Sequence, residues 1–389
     1  MPLALEGIRV IDVTQIMAGP LCTMLLADLG ADVIKIEPPG AGDLSRSLGG
    51  ARLHLRGRDN APFLALNRNK RSVTLDLKTA AGRDALLALV RTADVLVENF
   101  RPGVMRGLGL DYDTVGAINP RIVYASISGF GAAGPWADRP GYDLIAQGMA
   151  GIMSVTGEAG GAPVKCGVPI ADLGAGLYAA IGIQAALLAR ERTGRGQRVE
   201  TSLFEAALGL SVWEATEYFA TDEAPQPQGS AHRLTAPYQA FRTADGWINI
   251  AALTASQWEH LCAAVEREDL AGDARFASNA ARLANLPALV DALESALSHS
   301  DTQQWVARLL EAGVPAGPIL DYAQVFALEH TRARAMVETV EHPAEGVVRT
   351  IGFPVKLSDT PARVRTPPPL LGQHTAEVLQ ELGMTGNES

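Results

Sequence analysis

The sequence predicts an α/β protein: a parallel sheet covered by helices, joined to a second, smaller α+β domain. Three observations predict it. Short apolar runs alternate with helical patterns through roughly the first 200 residues. A polar stretch rich in proline and glycine, TDEAPQPQGSAHRLTAP, breaks the alternation at 221–237. Strand-like runs then return toward the C-terminal end.

Each element has its own signal. IRVIDVT (8–14) is rich in β-branched residues and reads as a strand. GPLCTMLLADLG (19–30) has helical spacing and closes on Gly30, suited to the residue after a helix. ADVIKIE (31–37) is a second strand, ended by PPG. SVTLDL (72–77), DVLVENF (94–100) and IVYASISGF (122–130) are further strands, with a helix over 78–93. A helix near 174–192 follows, and TGRGQ (193–197) turns the chain. Beyond the break, 238–252 reads as a hairpin around ADG. Helices follow at about 255–267, 285–299 and 301–312, the last between an Asp301 N-cap and Gly313. The tail carries strands at 336–343 and 347–353, then a proline-led helix over 367–383. The expected division is a large domain from 1–205 and 326–389, a linker at 206–225, and a small domain at 226–325.

With 389 residues the chain can bury a large core. Its formal net charge of −10 argues against nucleic acid as a partner, which needs broad positive surface. An anionic ligand would have to meet a local positive patch. The three cysteines, Cys22, Cys166 and Cys262, fit neither a disulfide framework nor a metal-ligand spacing, so a reducing, cytoplasmic setting is expected. The start lacks the layout of a signal peptide, and no apolar run is read as reaching the ~18–20 residues of a membrane span. No metal is expected.

The common signatures of catalysis are missing. The first turn reads VTQIMAGPLC, without the spaced glycines of a dinucleotide fold. The sequence contains no phosphate loop, HExxH, CxxC or nucleophile elbow. The seven histidines are scattered. One acid stands out: Asp172 in GVPIADLGAGLYAAIGIQ, just before a helical pattern and beside Gly174 and Gly176. By spacing alone an acid at this place is most simply a helix cap; a nucleophile is the other reading, and the two roles can coexist. A carboxylate with the ordinary pKa of about 3.9 is ionised at pH 7 and needs no base to activate it. The glycines allow another backbone or a ligand to approach.

VIDVTQIMAGP, LLADLGADVIKIEPPG, NRNKRSVTLDLK, VENFRPGV, IADLGAG, TGRGQ and PPPLLGQHTAEVL, in that order, resemble the class III coenzyme A transferases. The resemblance spans the chain. It implies a Rossmann-like large domain built from both chain ends, a small domain between them, and an interlocked homodimer. It implies acyl-CoA and carboxylic acids as substrates, and no prosthetic group. Asp172 matches the family's catalytic aspartate, which forms an anhydride and then an aspartyl-CoA thioester. Ala18, Leu75, Lys78, Asn99, Phe100, Arg101, Tyr142 and Asp143 match segments that hold CoA. NRNKRS offers Arg68, Lys70 and Arg71 as cations for a polyanionic coenzyme. Formyl-CoA transferase differs from this chain at Met17, Pro38 and Gly107. The GSAHRLTAPYQAFRTADGW stretch looks more like the branch that handles succinyl-CoA and dicarboxylic acids, including succinate–hydroxymethylglutarate CoA-transferase. Arg46, Arg71, His232 and Arg233 are candidates to meet a distal carboxylate. Two rivals stand beside transfer: a 2-methylacyl-CoA racemase, and a non-catalytic CoA-binding protein. The racemase branch carries a histidine where this chain has Tyr142, and a phenol of pKa about 10 is a poor general base.

Overall fold

The computed structural model describes residues 2–57 and 59–384. Six strands form one parallel sheet: β1 (Arg9–Asp12), β2 (Asp32–Glu37), β3 (Lys70–Thr74), β4 (Val95–Glu98), β5 (Val123–Ser128) and β6 (Arg198–Ser202). Their order is β3-β2-β1-β4-β5-β6. This is the doubly wound arrangement, in which the strand order reverses between β1 and β4.

Alternation along each strand explains both faces. Val10, Val33, Val95 and Val97 point to one side, where they pack with Ala171, Ala175, Ala179 and Ile183 of the helix Ile170–Thr193. Ile11, Ile34 and Leu96 point to the other, against Leu86 and Leu89 of the helix Ala80–Val90. Successive side chains of a strand alternate in direction, so sheet residues buried on both sides read as continuous apolar runs. Alanine dominates the buried stripe of Ile170–Thr193, which lets that helix lie close to the sheet.

Met153–Val164 and Ala220–Leu328 form a second compact unit. It holds an antiparallel sheet of β7 (Tyr238–Arg242), β8 (Trp247–Ala251) and β9 (Ala316–Pro318). Its core gathers Phe241, Ile248, Trp258, Leu261, Leu293 and Leu309. Asp301 caps the helix Thr302–Glu311 by accepting from Gln304 N at 2.8 Å. The segment 153–164 carries no sequence signal for this membership. It is tied in where Gly229 N donates to Gly157 O at 2.8 Å.

In the tail, β10 (Val337–His342) and β11 (Gly346–Ile351) form an antiparallel hairpin in the first unit. The proline-led helix is shorter than expected. It runs only over Thr375–Glu381, because 367–370 is irregular and 371–374 makes a turn that bonds back to β3: His374 N to Ser72 O at 2.9 Å and Gly372 N to Ser72 Oγ at 2.9 Å. The expectation about membrane spans is also corrected. Ile170–Thr193 has the length and apolar character of a span, with half of its apolar window packed inside the protein.

Candidate active site

The carboxyl ends of β1, β4 and β5 open into a cavity of about 320 Å³ in the first unit. Open α/β sheets bind ligands at this edge, beside the point where strand order reverses. Gln15–Ala18 after β1, Asn99–Pro102 after β4, Ser128 at the end of β5, and Gly129 and Arg139–Tyr142 after it supply most of the wall. Asp172 completes it.

The loop after β1 is held in an unfavourable shape. Ile16 has φ 70°, a left-handed conformation that a β-branched residue adopts only under constraint. The constraint is visible. Gln15 N donates to Asn99 Oδ1 at 2.8 Å, and Asn99 Nδ2 donates back to Gln15 O at 2.8 Å. Ile16 N donates to Asp43 Oδ1 at 3.1 Å. Below the loop lies a buried charge network. Asp12 accepts from Lys70 Nζ at 3.0 Å and Thr23 Oγ1 at 2.7 Å, and Lys35 Nζ meets Asp43 Oδ2 at 2.8 Å. Burial opposes charge on Asp12, but Lys35, Lys70 and the hydroxyls of Thr14 and Thr23 hold its carboxyl well below the usual range.

Asp172 lies in the first turn of Ile170–Thr193, two residues inside its start. It is not the N-cap; Pro169 holds that position without a side-chain bond. The capping task falls to Asp143, 29 residues away. Its Oδ1 accepts from Ala171 N at 2.9 Å and from Asp172 N at 3.3 Å. Buried Gln147 braces the cap, donating to Asp143 Oδ2 at 2.7 Å and accepting from Cys166 N at 2.9 Å. The Asp172 carboxylate is therefore free for chemistry. Gly176, one turn on, brings this helix onto the loop after β1: a methyl group there would fall 2.7 Å from Ala18 O.

Burial, and then the neighbouring charge of Asp143, push the Asp172 carboxyl up to about 7. This differs from the ordinary carboxylate value expected for an exposed aspartate. In its folded place the group is instead a mixture of acid and anion at neutral pH. Among the described residues no lysine or arginine pairs with it and no donor reaches its carboxylate oxygens.

The other expected positions divide. Ala18, Asn99, Phe100, Arg101 and Tyr142 line the cavity with Asp172. Asp143 stands behind it as the cap. Leu75 is buried in the core and Lys78 is exposed; neither lines this cavity. The reading of NRNKRS as a coenzyme patch is corrected. Arg68 is buried against Asp28 at 2.6 Å, and Lys70 is fully buried against Asp12. Arg71 bonds Asp32, Glu377 and Glu381. Arg46 is likewise held between Glu37 and Asp59 at 2.7 Å each, with its guanidinium 3.5 Å over the Phe63 ring. All four cations are neutralised within the first unit. His232 and Arg233 belong to the second unit.

Several wall residues went unnoticed in the sequence. Gly129 and Gly141 touch backbone to backbone, and a Cβ on Gly129 would fall 2.8 Å from Gly141 Cα. The GF–G spacing around 129–131 and the PG at 140–141 were the available signals. Arg139 had none, because its importance comes only from where the loop folds.

The family model described as CoA-transferase family III matches residues 5–375. A succinyl-CoA:mesaconate CoA-transferase from Haloarcula hispanica is 40% identical over 98% of this chain and 97% of its own length. A formyl-CoA:oxalate CoA-transferase from Streptomyces avermitilis is 41% identical over 100% of this chain and 98% of its own. Among solved structures, a CAIB/BAIF family protein from Brucella suis superposes with a TM-score of 0.89 at 40% identity, covering 98% of this chain and 100% of that one.

Proposed function

Because the chain belongs to CoA-transferase family III, we propose that it moves CoA from an acyl-CoA, succinyl-CoA foremost, to a dicarboxylic acid, with Asp172 as the group that carries the acyl and CoA moieties in turn. The placement of Asp172 carries this reading: a carboxylate without a partner, in the first turn of a helix, at the wall of an open cavity.

The steps balance as follows. A carboxylate oxygen of Asp172 attacks the thioester carbonyl and the thiolate leaves, giving a mixed anhydride. The thiolate attacks the aspartyl carbonyl, and the donor acid departs as carboxylate, leaving an aspartyl-CoA thioester. The acceptor carboxylate attacks that thioester, and the thiolate returns to the acceptor's carbonyl, freeing Asp172. Only the first attack uses the ionised Asp172 carboxyl; the raised pKa makes that carboxylate more basic, and so a better nucleophile, than an ordinary one. Holding thiolate and anhydride in one cavity makes each step effectively unimolecular, worth ~7–11 kcal/mol of barrier.

Both named relatives use dicarboxylic acceptors, mesaconate and oxalate. The departures at Met17, Pro38 and Gly107 weigh against formyl–oxalate exchange, and the GSAHRLTAPYQAFRTADGW stretch and PPPLLGQHT ending resemble the succinyl-CoA branch. A homodimer fits the surface of the first unit. Ile181 is 61% exposed and Leu188 64% on the long helix, and Phe219 of the helix Val212–Thr221 is 79% exposed. Apolar side chains of this size call for a cover, and a second copy is the partner the family resemblance implies.

Initial rates with succinyl-CoA and a panel of acids (oxalate, succinate, glutarate, mesaconate, citramalate) test the reading. Ping-pong kinetics with at least one diacid are expected. Exchange at the α-carbon of a 2-methylacyl-CoA in deuterated water, with no transfer to any acid, would replace it with the racemase.

A further inference from the structure

We propose that Arg139 selects the acceptor, by pairing with the distal carboxylate of a dicarboxylic acid while the acid's other carboxylate reacts at Asp172. The inference rests on the transferase reading above.

Three charged side chains line the cavity: Arg101, Arg139 and Asp172. The chain as a whole is acidic, so this wall is a local exception. The cations first considered for an acid's far end are unsuited. Arg46 and Arg71 are committed to carboxylates of the fold. Arg101 belongs to the loop after β4, with Asn99 and Phe100. Arg139 comes from a different loop, after β5, and that loop is anchored to the reacting group. Four residues beyond Arg139, Asp143 bonds the backbone N–H of Ala171 and Asp172. Four residues span at most ~14 Å, so Arg139 is leashed close to the helix turn that carries Asp172.

Its side chain is also set for the task. The guanidinium lies 5.1 Å over the Trp136 ring. Trp136 packs edge-on against Phe204 at 5.6 Å and Phe130 at 5.9 Å, and Phe130 is buried. The ring stack backs one face of the guanidinium, and Arg139 itself is exposed. Among the described residues no carboxylate pairs with it. A stacked arginine loses less freedom on binding and offers two parallel N–H donors to a carboxylate.

The test compares glutarate with glutaramate, the same acid with a neutral amide at its far end. In a ping-pong exchange the acceptor's kcat/KM reports only the second half-reaction, so succinyl-CoA can serve as donor throughout. Wild type should prefer glutarate. Arg139→Met should lower the glutarate-to-glutaramate ratio by roughly 10- to 100-fold, the scale of a lost charge-assisted pair, and Arg139→Lys should restore part of it. Equal slowing of both acids would overturn the proposal. So would a rise in the Kd of free CoA matching the loss, which would assign Arg139 to the coenzyme phosphates. So would a wild type that does not distinguish the two acids. Failure of the wild type to transfer CoA to any diacid is a separate result: it removes the transferase reading itself, before any variant is compared.

Discussion

Asp12 and Asp172 are carboxylates of the same unit, one under the sheet's edge and one in the cavity wall above it. Asp12 has every oxygen occupied: Thr14 N at 2.9 Å, the hydroxyls of Thr14 and Thr23, and Lys70. Its pKa is driven down. Asp172 has only the backbone on which it rides, an acidic neighbour, and a pKa driven up to about 7. Both lose water on folding. The difference lies in what replaces it. Cations and hydroxyls turn the first into a structural anchor for the strained loop at Ile16. Their absence leaves the second with its reactivity unspent.

Exchanging each acid for its amide should separate the two. Asp172→Asn should lower transfer by at least ~10³-fold, since a neutral amide cannot replace a carboxylate nucleophile. The same change should stabilise the protein, because folding raises the pKa of this acid. The wild-type penalty is absent below the unfolded value near 4, grows as pH rises, and is complete above about 7. Urea denaturation at pH 8 should therefore show the variant more stable by on the order of 1–3 kcal/mol, with the gap closing by pH 4. A variant less stable at pH 8 would contradict the contrast.

Lys70→Met tests the other half. It strips a fully buried cation from Asp12, Asn67 Oδ1 and Pro20 O. Leaving a buried charge short of its partner costs about 3–5 kcal/mol, read in the urea midpoint. Activity per folded molecule should fall less than in Asp172→Asn.

Asp143→Asn gives the smallest effect and the sharpest reading. The amide oxygen can still accept from Ala171 N and Asp172 N, the bond from Gln147 Nε2 is lost because the new Nδ2 is a donor, and the negative charge beside Asp172 is gone. In wild type, kcat/KM for the acyl-CoA should fall tenfold per pH unit below about 7, as the carboxylate takes up a proton. In the variant that midpoint should move to lower pH, because only burial still raises it. A profile that does not move would deny Asp143 its electrostatic part.

Much of this was legible beforehand, for reasons that can be named. The strands of the sheet announced themselves because residues such as Val10 and Ile11 are buried on opposite faces, which yields unbroken apolar runs. The order of those strands, and so the position of the cavity, depends on crossovers that no local pattern encodes. Asp172 was visible as a lone acid before a helix, yet its nature was not. The cap that frees it comes from Asp143, 29 positions earlier, and local reading assigned capping to Asp172 itself. NRNKRS misled for a related reason. Its charges look solvated in sequence, but Lys70 heads a strand inside the sheet, where Asp12 meets it. Burial is a property of the fold, and composition cannot report it.

The claim that Asp172 becomes covalently acylated is tested most directly by trapping. The enzyme would be incubated with succinyl-CoA, quenched with hydroxylamine, digested and read by peptide mass spectrometry. The account predicts a hydroxamate on Asp172 alone, dependent on the thioester. Full transfer activity with Asp172 unmodified at every time point would contradict it.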